Sequence, residues 1–452
     1  MIESTGLTLA TTNSLDELCH TLRQYQATLS KDLPHDEQDA WARFPFREVM
    51  NAFHAIGKHF VPTVLLDELE QVQQALRVAS DGEQGPLGQR LDLFLSTLLD
   101  KHQDRYDYLS YTGIKLLIDS FPSKLSEYSS CRSIRVQHLL LLLADVALYE
   151  CRTLLGQETR FPDQLTSLRN RKLRVFNSLK AIDTYRRFTE QPVWSSSLAS
   201  ITDEWAATVR LDQPFPNALG ERTVTALESL LAQGDAEFRQ LIDLTILPVW
   251  TIHDEYLFLR ILQIFEMMFN VAIRGFEVGQ QALLDRTPAV AVPVIDDLTD
   301  FFAASNAIFR VMTTITKENF STFRVYTDGA SAIQSEQYKQ IEAMAAHPMR
   351  ARLNSAAFTS TPAIKKAYET KAFAVFQDLI AAYEEPDEAL SGLCASLGGF
   401  DRAFVSWKKM HYQIAVKMLG AQRGTGNTPG TPYLKQYMSA PLFPFLSPSN
   451  NS

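Results

Sequence analysis

The chain has 452 residues, of which 46% are hydrophobic and 21% charged, with a formal net charge of -9. That length suffices for one large domain or two ordinary ones around a sizeable core, and the composition is that of a globular chain in water. The acidic balance speaks against a general nucleic-acid-binding face, and nothing supports binding to a membrane surface.

In chain order, apolar residues recurring at three and four spacing predict helices over 14–30, 60–78, 90–100, 136–155, 223–245, 254–276, 294–316, 364–384 and 401–419. Strand alternation bounded by turn signals is missing, so the fold class is all-α. Turn-rich loops are predicted at Asp81–Pro86, Gln191–Ser197, Asp212–Pro216 and 421–432, and a disordered tail at Ser447–Ser452. The longest apolar run, Leu139–Val146, includes Asp145 and is far too short to cross a bilayer. Residues 1–245 form a helical region without a motif that carries chemistry. Residues 246–445 hold every candidate site, and 446–452 are tail.

Cys19, Cys131, Cys151 and Cys394 are scattered with no C-x-x-C pair, so neither a zinc site nor a disulfide framework is expected. Reduced thiols and a cytoplasmic setting are the expectation, and Met1–Thr5 begins no secretory leader pattern.

Three segments of the second half stand out. The first opens with Thr251 and Asp254 spaced as a capping box. Asp254 and Glu255 then fall in the first turn, where the helix dipole favours acids. Phe258, Leu262, Phe265 and Phe269 share one face, the pattern of a core helix with an aromatic stripe, and His253 is expected at an exposed helix entrance. The second is Phe320, Phe323 and Arg324 before Asp328–Tyr338. A lone Arg there is either a surface ion pair or a carboxylate fork. The third places Phe404, Trp407, His411, Ala415 and Met418 on one face, followed by Arg423-Gly424-Thr425-Gly426-Asn427. A histidine on such a face is either packed in a core or a neutral ligand. The glycine-rich loop has neither Rossmann nor P-loop spacing.

Other candidates read as structural. His20, His54, His59 and His347 belong to no H-E-x-x-H or Glu-x-x-His arrangement, and no G-x-S-x-G elbow occurs. Lys408-Lys409 is expected on a solvated helix edge, and Trp41, Trp194, Trp205 and Trp250 in core or interface.

In this order and spacing, the three segments resemble the active-site segments of the tryptophan 2,3-dioxygenase superfamily of haem enzymes. The resemblance covers the C-terminal half and implies a helical haem domain carrying an additional N-terminal helical region. It makes His411 the haem-iron ligand, with Trp407 four residues earlier, Gly420 nine later, and Arg423, Gly424, Thr425 and Gly426 around the cofactor. It makes Arg324 the grip on a substrate carboxylate and Thr425 the contact to its ammonium and a haem propionate. Phe258, Phe320 and Phe323 would wall the substrate. Leu262 stands where the family has a histidine that bonds the indole N–H, and leucine offers no acceptor. The related indoleamine 2,3-dioxygenase also lacks that histidine. Phe320 stands where the family commonly has a tyrosine. Tyr106–Leu117 resembles the Tyr- and Leu-rich segment that in the family reaches a neighbouring subunit's active site, with coincidence as the alternative.

The implied activity is haem b- and O2-dependent oxidation of L-tryptophan or a substituted tryptophan, with oxygen inserted across the indole C2–C3 bond, by a homo-oligomer. Leu262 leaves open a monooxygenation, hydroxylation or ring rearrangement of an aromatic amino acid. A helical scaffold or haem sensor without catalysis is the reading from another class.

Overall fold

The computed structural model describes residues 9–32, 41–79, 85–120, 128–189, 196–210, 215–384, 388–420, 424 and 430–446. The predicted tail at 447–452, most of the loop at 421–432, and parts of the turn-rich segments at 81–86, 191–197 and 212–216 lie outside the described residues, as does Trp194. Among the described residues the regular elements are helices, and the one β-type pairing is an isolated parallel bridge between Asp163 and Ile252.

The N-terminal part runs through α1 (Leu9–Asp32), α2 (Phe46–Ile56), α3 (Thr63–Ala79), α4 (Pro86–Leu98), and the short pair α5 (Tyr108–Thr112) and α6 (Ile114–Asp119) hinged at Gly113. It continues with α7 (Tyr128–Leu154), α8 (Leu168–Tyr185), α9 (Ser196–Arg210), α10 (Asn217–Ala232) and α11 (Ala236–Leu244). The central helix α12 (His253–Leu284) follows, then α13 (Val292–Ala303), α14 (Asn306–Met312), α15 (Lys317–Arg324) and α16 (Glu336–Ala345). Short helices α17 (Arg350–Leu353), α18 (Ala356–Thr359), α19 (Pro362–Glu369) and α20 (Phe376–Ala381) lead to α21 (Glu388–Leu419) and α22 (Thr431–Tyr437).

Three predicted runs are divided. The run at 223–245 breaks because Asp235 caps a new helix, its carboxylate accepting from the backbone N–H of Glu237 (2.8 Å) and Phe238 (3.2 Å). The run at 294–316 becomes α13 and α14, and 364–384 becomes α19 and α20, with Lys371 at a φ of 56° between them. Helix α8 is not predicted because its buried face carries charge. Lys172 and Arg174 are both buried there, and they interrupt the apolar period.

α12 is buried nearly all round and packs against α7, α13 and α16, while α13 packs along α21. Its length and apolarity would suffice to cross a bilayer, yet most of it is buried among other helices. The close approach of α13 depends on Gly275, where a Cβ would sit 2.4 Å from Leu298 Cδ1. One apolar core runs from Leu15 to Phe443 through both halves, and a second cluster gathers Tyr149, Phe161, Val249, Tyr256 and Phe323.

The start of α12 differs from the capping-box expectation. Ile252 occupies the cap position and no side chain caps the helix. Thr251 instead donates to the Asp163 carboxylate. Asp254 accepts from Arg174 (2.6 Å) and from the Thr316 backbone N–H (2.9 Å). His253 is not an exposed capping residue but is fully buried, with Nδ1 3.1 Å from the Tyr149 hydroxyl and Nε2 3.0 Å from Glu150 Oε1. The reason is tertiary: this helix begins inside the protein, covered by α7, α8 and the 161–163 segment. Its polar first turn is satisfied by buried protein groups, among them Tyr111, Tyr149, Glu150 and Arg174 of the N-terminal half and the backbone of Val249, Trp250 and Thr316.

Candidate active site

α12, α15, α16, α21 and α22, with the 327–335 turn between α15 and α16, surround one cleft with about 1630 Å³ of space among its lining atoms, part of it open to solvent.

The α12 wall consists of Phe258, Leu262, Phe265, Glu266 and Phe269, the predicted stripe plus one acid. Phe258 meets Phe320 and Phe323 at ring-centroid distances of 5.4 Å each. Phe265 and Phe269 meet Trp407 at 5.4 and 5.2 Å, both edge-on. The stripe therefore joins the segments that carry Arg324 and His411. Arg324, in the last turn of α15, is half-buried and lines the same cleft. Burial lowers its pKa, and a guanidinium remains charged regardless.

His411 opens on the cleft and stacks on Trp407 at 5.4 Å with a 17° tilt. Among the described residues its ring nitrogens make no hydrogen bond, and burial pulls its pKa down to about 4. At neutral pH it is therefore a neutral imidazole with a lone pair to offer. Trp407 Nε1 is buried without a hydrogen-bond partner among the described residues. Gly424 and Gly430 also line the cleft, and Gly430 precedes α22 with a φ of 77°. Arg423, Thr425 and Gly426 lie outside the described residues.

Several lining residues carry no signal in a single sequence. Glu266 is buried on α12, and burial pushes its carboxyl up to about 7. Tyr108 donates to its Oε1 (3.1 Å), while Oε2 is buried without a partner among the described residues. Tyr108 and Tyr111 line the cleft from α5, within the same chain, although the resemblance places this segment at a neighbouring subunit's site. The 327–335 turn holds α5 in place, since Gln334 Oε1 accepts from the backbone N–H of Tyr108 (3.1 Å) and Ser331 (3.0 Å). Ser335 then caps α16 by accepting from Tyr338 N (3.1 Å).

Lys408 departs from its expected solvated position. It is buried, lines the cleft and donates to the Ala440 carbonyl, while Lys409 alone is exposed. The reason is that the segment after α22 folds back over α21 and covers this face. Lys339 and Arg352, both buried, line the cleft beside it.

Elsewhere, His347 sits at the surface between Tyr368 (2.8 Å) and Asp378 (2.7 Å), and His54 is buried against the Ile246 carbonyl (2.7 Å). Trp41 and Trp205 are buried. Among the described residues no three His, Cys, Asp or Glu side chains gather where they could hold a bare metal ion.

These observations define a helical protein with a mostly apolar cleft, a neutral imidazole that has no hydrogen bond among the described residues, and a guanidinium on the same lining. Comparison with known proteins adds the relationship. No family model matches the chain. A tryptophan 2,3-dioxygenase of Bradyrhizobium diazoefficiens is 26% identical over 235 residues, covering 44% of this chain and 84% of that enzyme. Those of Herpetosiphon aurantiacus and Ruegeria pomeroyi are each 25% identical, over 227 and 232 residues, covering 43% of this chain and 86% and 83% of theirs. The C-terminal part of this chain is a distant relative of the tryptophan 2,3-dioxygenases.

Proposed function

We propose that the protein is a haem-dependent oxidoreductase acting on L-tryptophan or a substituted tryptophan. The observation that carries this reading is the pairing on one cleft of Arg324 with a neutral His411 that has no hydrogen bond among the described residues. The lining suits haem b. An apolar wall matches a macrocycle, His411 offers a nitrogen lone pair to iron, and no competing protein cage for a metal forms among the described residues. When bound, haem b would supply the activation of O2.

The chain's own residues would position and shield the substrate. Arg324 would grip its carboxylate, since a guanidinium fork presents paired donors in a fixed plane. Thr425 is assigned the substrate ammonium on resemblance alone. Phe258, Leu262 and Phe320 would enclose the aromatic ring and exclude water, so that catalysis gains from orientation in a dry site. Stacking on Trp407 and burial would keep His411 in one orientation and unprotonated.

Leu262 favours a second reading within the same class. Without an acceptor at that position, a one-oxygen oxidation or ring rearrangement of an aromatic amino acid competes with insertion of two oxygens. A reducing cytoplasmic setting and assembly into an oligomer complete the proposal. The first test is spectroscopic: purified protein supplied with haem should show a Soret band that His411→Ala loses. Colourless wild-type protein refutes the reading. Mass spectrometry of the product of L-tryptophan then separates a gain of two oxygen atoms from a gain of one.

A further inference from the structure

Among the described residues the cleft lining carries four cationic side chains, Arg324, Lys339, Arg352 and Lys408, and one carboxyl, Glu266. Three of the cations, from α16, α17 and α21, stand together. Lys339 Nζ lies 3.1 Å from Glu342 Oε2, and Arg352 Nη2 binds both oxygens of Glu342 at 2.9 and 2.8 Å. Arg352 Nη1 donates to the Tyr433 hydroxyl (2.7 Å), and Lys408 donates to the Ala440 carbonyl. Glu342 and Asp401 act electrostatically on this group, yet neither lines the cleft. Asp401 Oδ1 is already engaged by the Leu442 backbone N–H (2.8 Å).

All three cations are buried. Burial lowers the pKa of Lys339 to about 8 and lowers that of Lys408 as well, while Glu342 and Tyr433 overcome burial at Arg352 and raise its pKa. Each ammonium has three N–H donors; among the described residues Lys339 meets Glu342 and the Tyr338 ring face, and Lys408 the Ala440 carbonyl and the Phe404 ring face, which leaves both with donors for a ligand. Among the described residues, buried cations face the cavity while Glu342 and Asp401 lie outside its lining, which leaves that end positive.

We propose that Lys339, Arg352 and Lys408 form a second anion-binding subsite, which docks the carboxylate edge of the porphyrin and leaves Arg324 to the amino acid. The inference rests on the haem reading and adds to it which residues set the macrocycle's orientation. A zwitterionic amino acid brings one carboxylate, for Arg324. A porphyrin brings two propionates: the resemblance takes one to Thr425, and the other is the anion that suits the α16–α17–α21 corner.

The test titrates the full-length apoprotein with haemin and with haemin dimethyl ester, followed by Soret absorbance. Charge-assisted hydrogen bonds make the free acid bind at least about tenfold tighter for each carboxylate engaged. In Lys408→Gln, affinity for haemin should fall while affinity for the diester stays unchanged. The wild-type comparison of the two porphyrins needs no variant to fold. Equal affinity for acid and diester overturns the subsite while leaving the haem reading intact. No Soret change with either porphyrin removes both.

Discussion

Arg174→Met tests how the N-terminal half anchors the candidate site. Arg174 is fully buried on α8 and binds Glu150 of α7, Asp254 of α12 at 2.6 Å, and Thr314 Oγ1 at 3.1 Å. Asp254 lies in the first turn of α12, just before Phe258. Methionine fills similar volume but strands two buried carboxylates. Removing one partner of a buried ion pair costs about 3–5 kcal/mol, out of a total of about 5–15 kcal/mol for a typical protein. We expect a loss of about 4 kcal/mol at pH 7 in urea unfolding followed by far-UV circular dichroism. The pH dependence gives a second check. In the wild type, burial pushes the Glu150 carboxyl up, but Arg174 and His253 together overcome it and hold it at about 2. That depressed pKa contributes stability above the ordinary carboxylate range, and the contribution is lost as pH falls toward 2. Without the guanidinium, burial raises the Glu150 carboxyl in the folded state, so protonation favours folding and the variant's deficit should shrink between pH 7 and 5. A loss under about 1 kcal/mol at pH 7, the range of an exposed pair, or a deficit independent of pH, would refute the argument.

Arg324→Leu should weaken L-tryptophan binding by about 2–5 kcal/mol, roughly 30-fold or more, while tryptamine, which lacks the carboxylate, binds as before; equal losses for both would remove Arg324 from the carboxylate. Leu262→His should tighten binding of L-tryptophan by about 0.5–1.5 kcal/mol through a new acceptor and leave 1-methyl-tryptophan unaffected, which competition titration can read. A parallel change in both ligands would mean that no indole N–H reaches this position. Burial pushes the Glu255 carboxyl up to about 8, despite the hydrogen bonds it accepts from Val249 N, Trp250 N and Tyr111. The folded state therefore holds this proton more tightly than the unfolded chain, and the stability it contributes is lost as pH rises from the ordinary carboxylate range up through 8. Glu255→Gln should gain on the wild type across that rise by up to about 1.4 kcal/mol per pH unit, and an offset constant with pH would count against the raised pKa.

Much of this protein is legible in its residue order. Helical period identifies α12 and α21, because each presents an apolar face whose spacing reflects only the 3.6-residue turn. Phe258, Leu262, Arg324 and His411 are identifiable because their neighbours along the chain resemble those of a known family. Local pattern could not reveal what depends on distant partners. Lys408 looks solvated until the segment around Ala440 folds over it, and His253 looks like a surface cap until α7 and α8 close around it. Tyr108 and Glu266 are far apart in the chain, and only packing brings their oxygens to 3.1 Å. The periodicity of α8 is hidden because Arg174 and Lys172 point inward, a placement made tolerable by carboxylates that other helices supply. The sequence by itself therefore determined which faces are apolar and where the candidate ligands sit along the chain. The tertiary structure decided which charges are buried and what satisfies them, because desolvation and pairing depend on neighbours that only folding brings together.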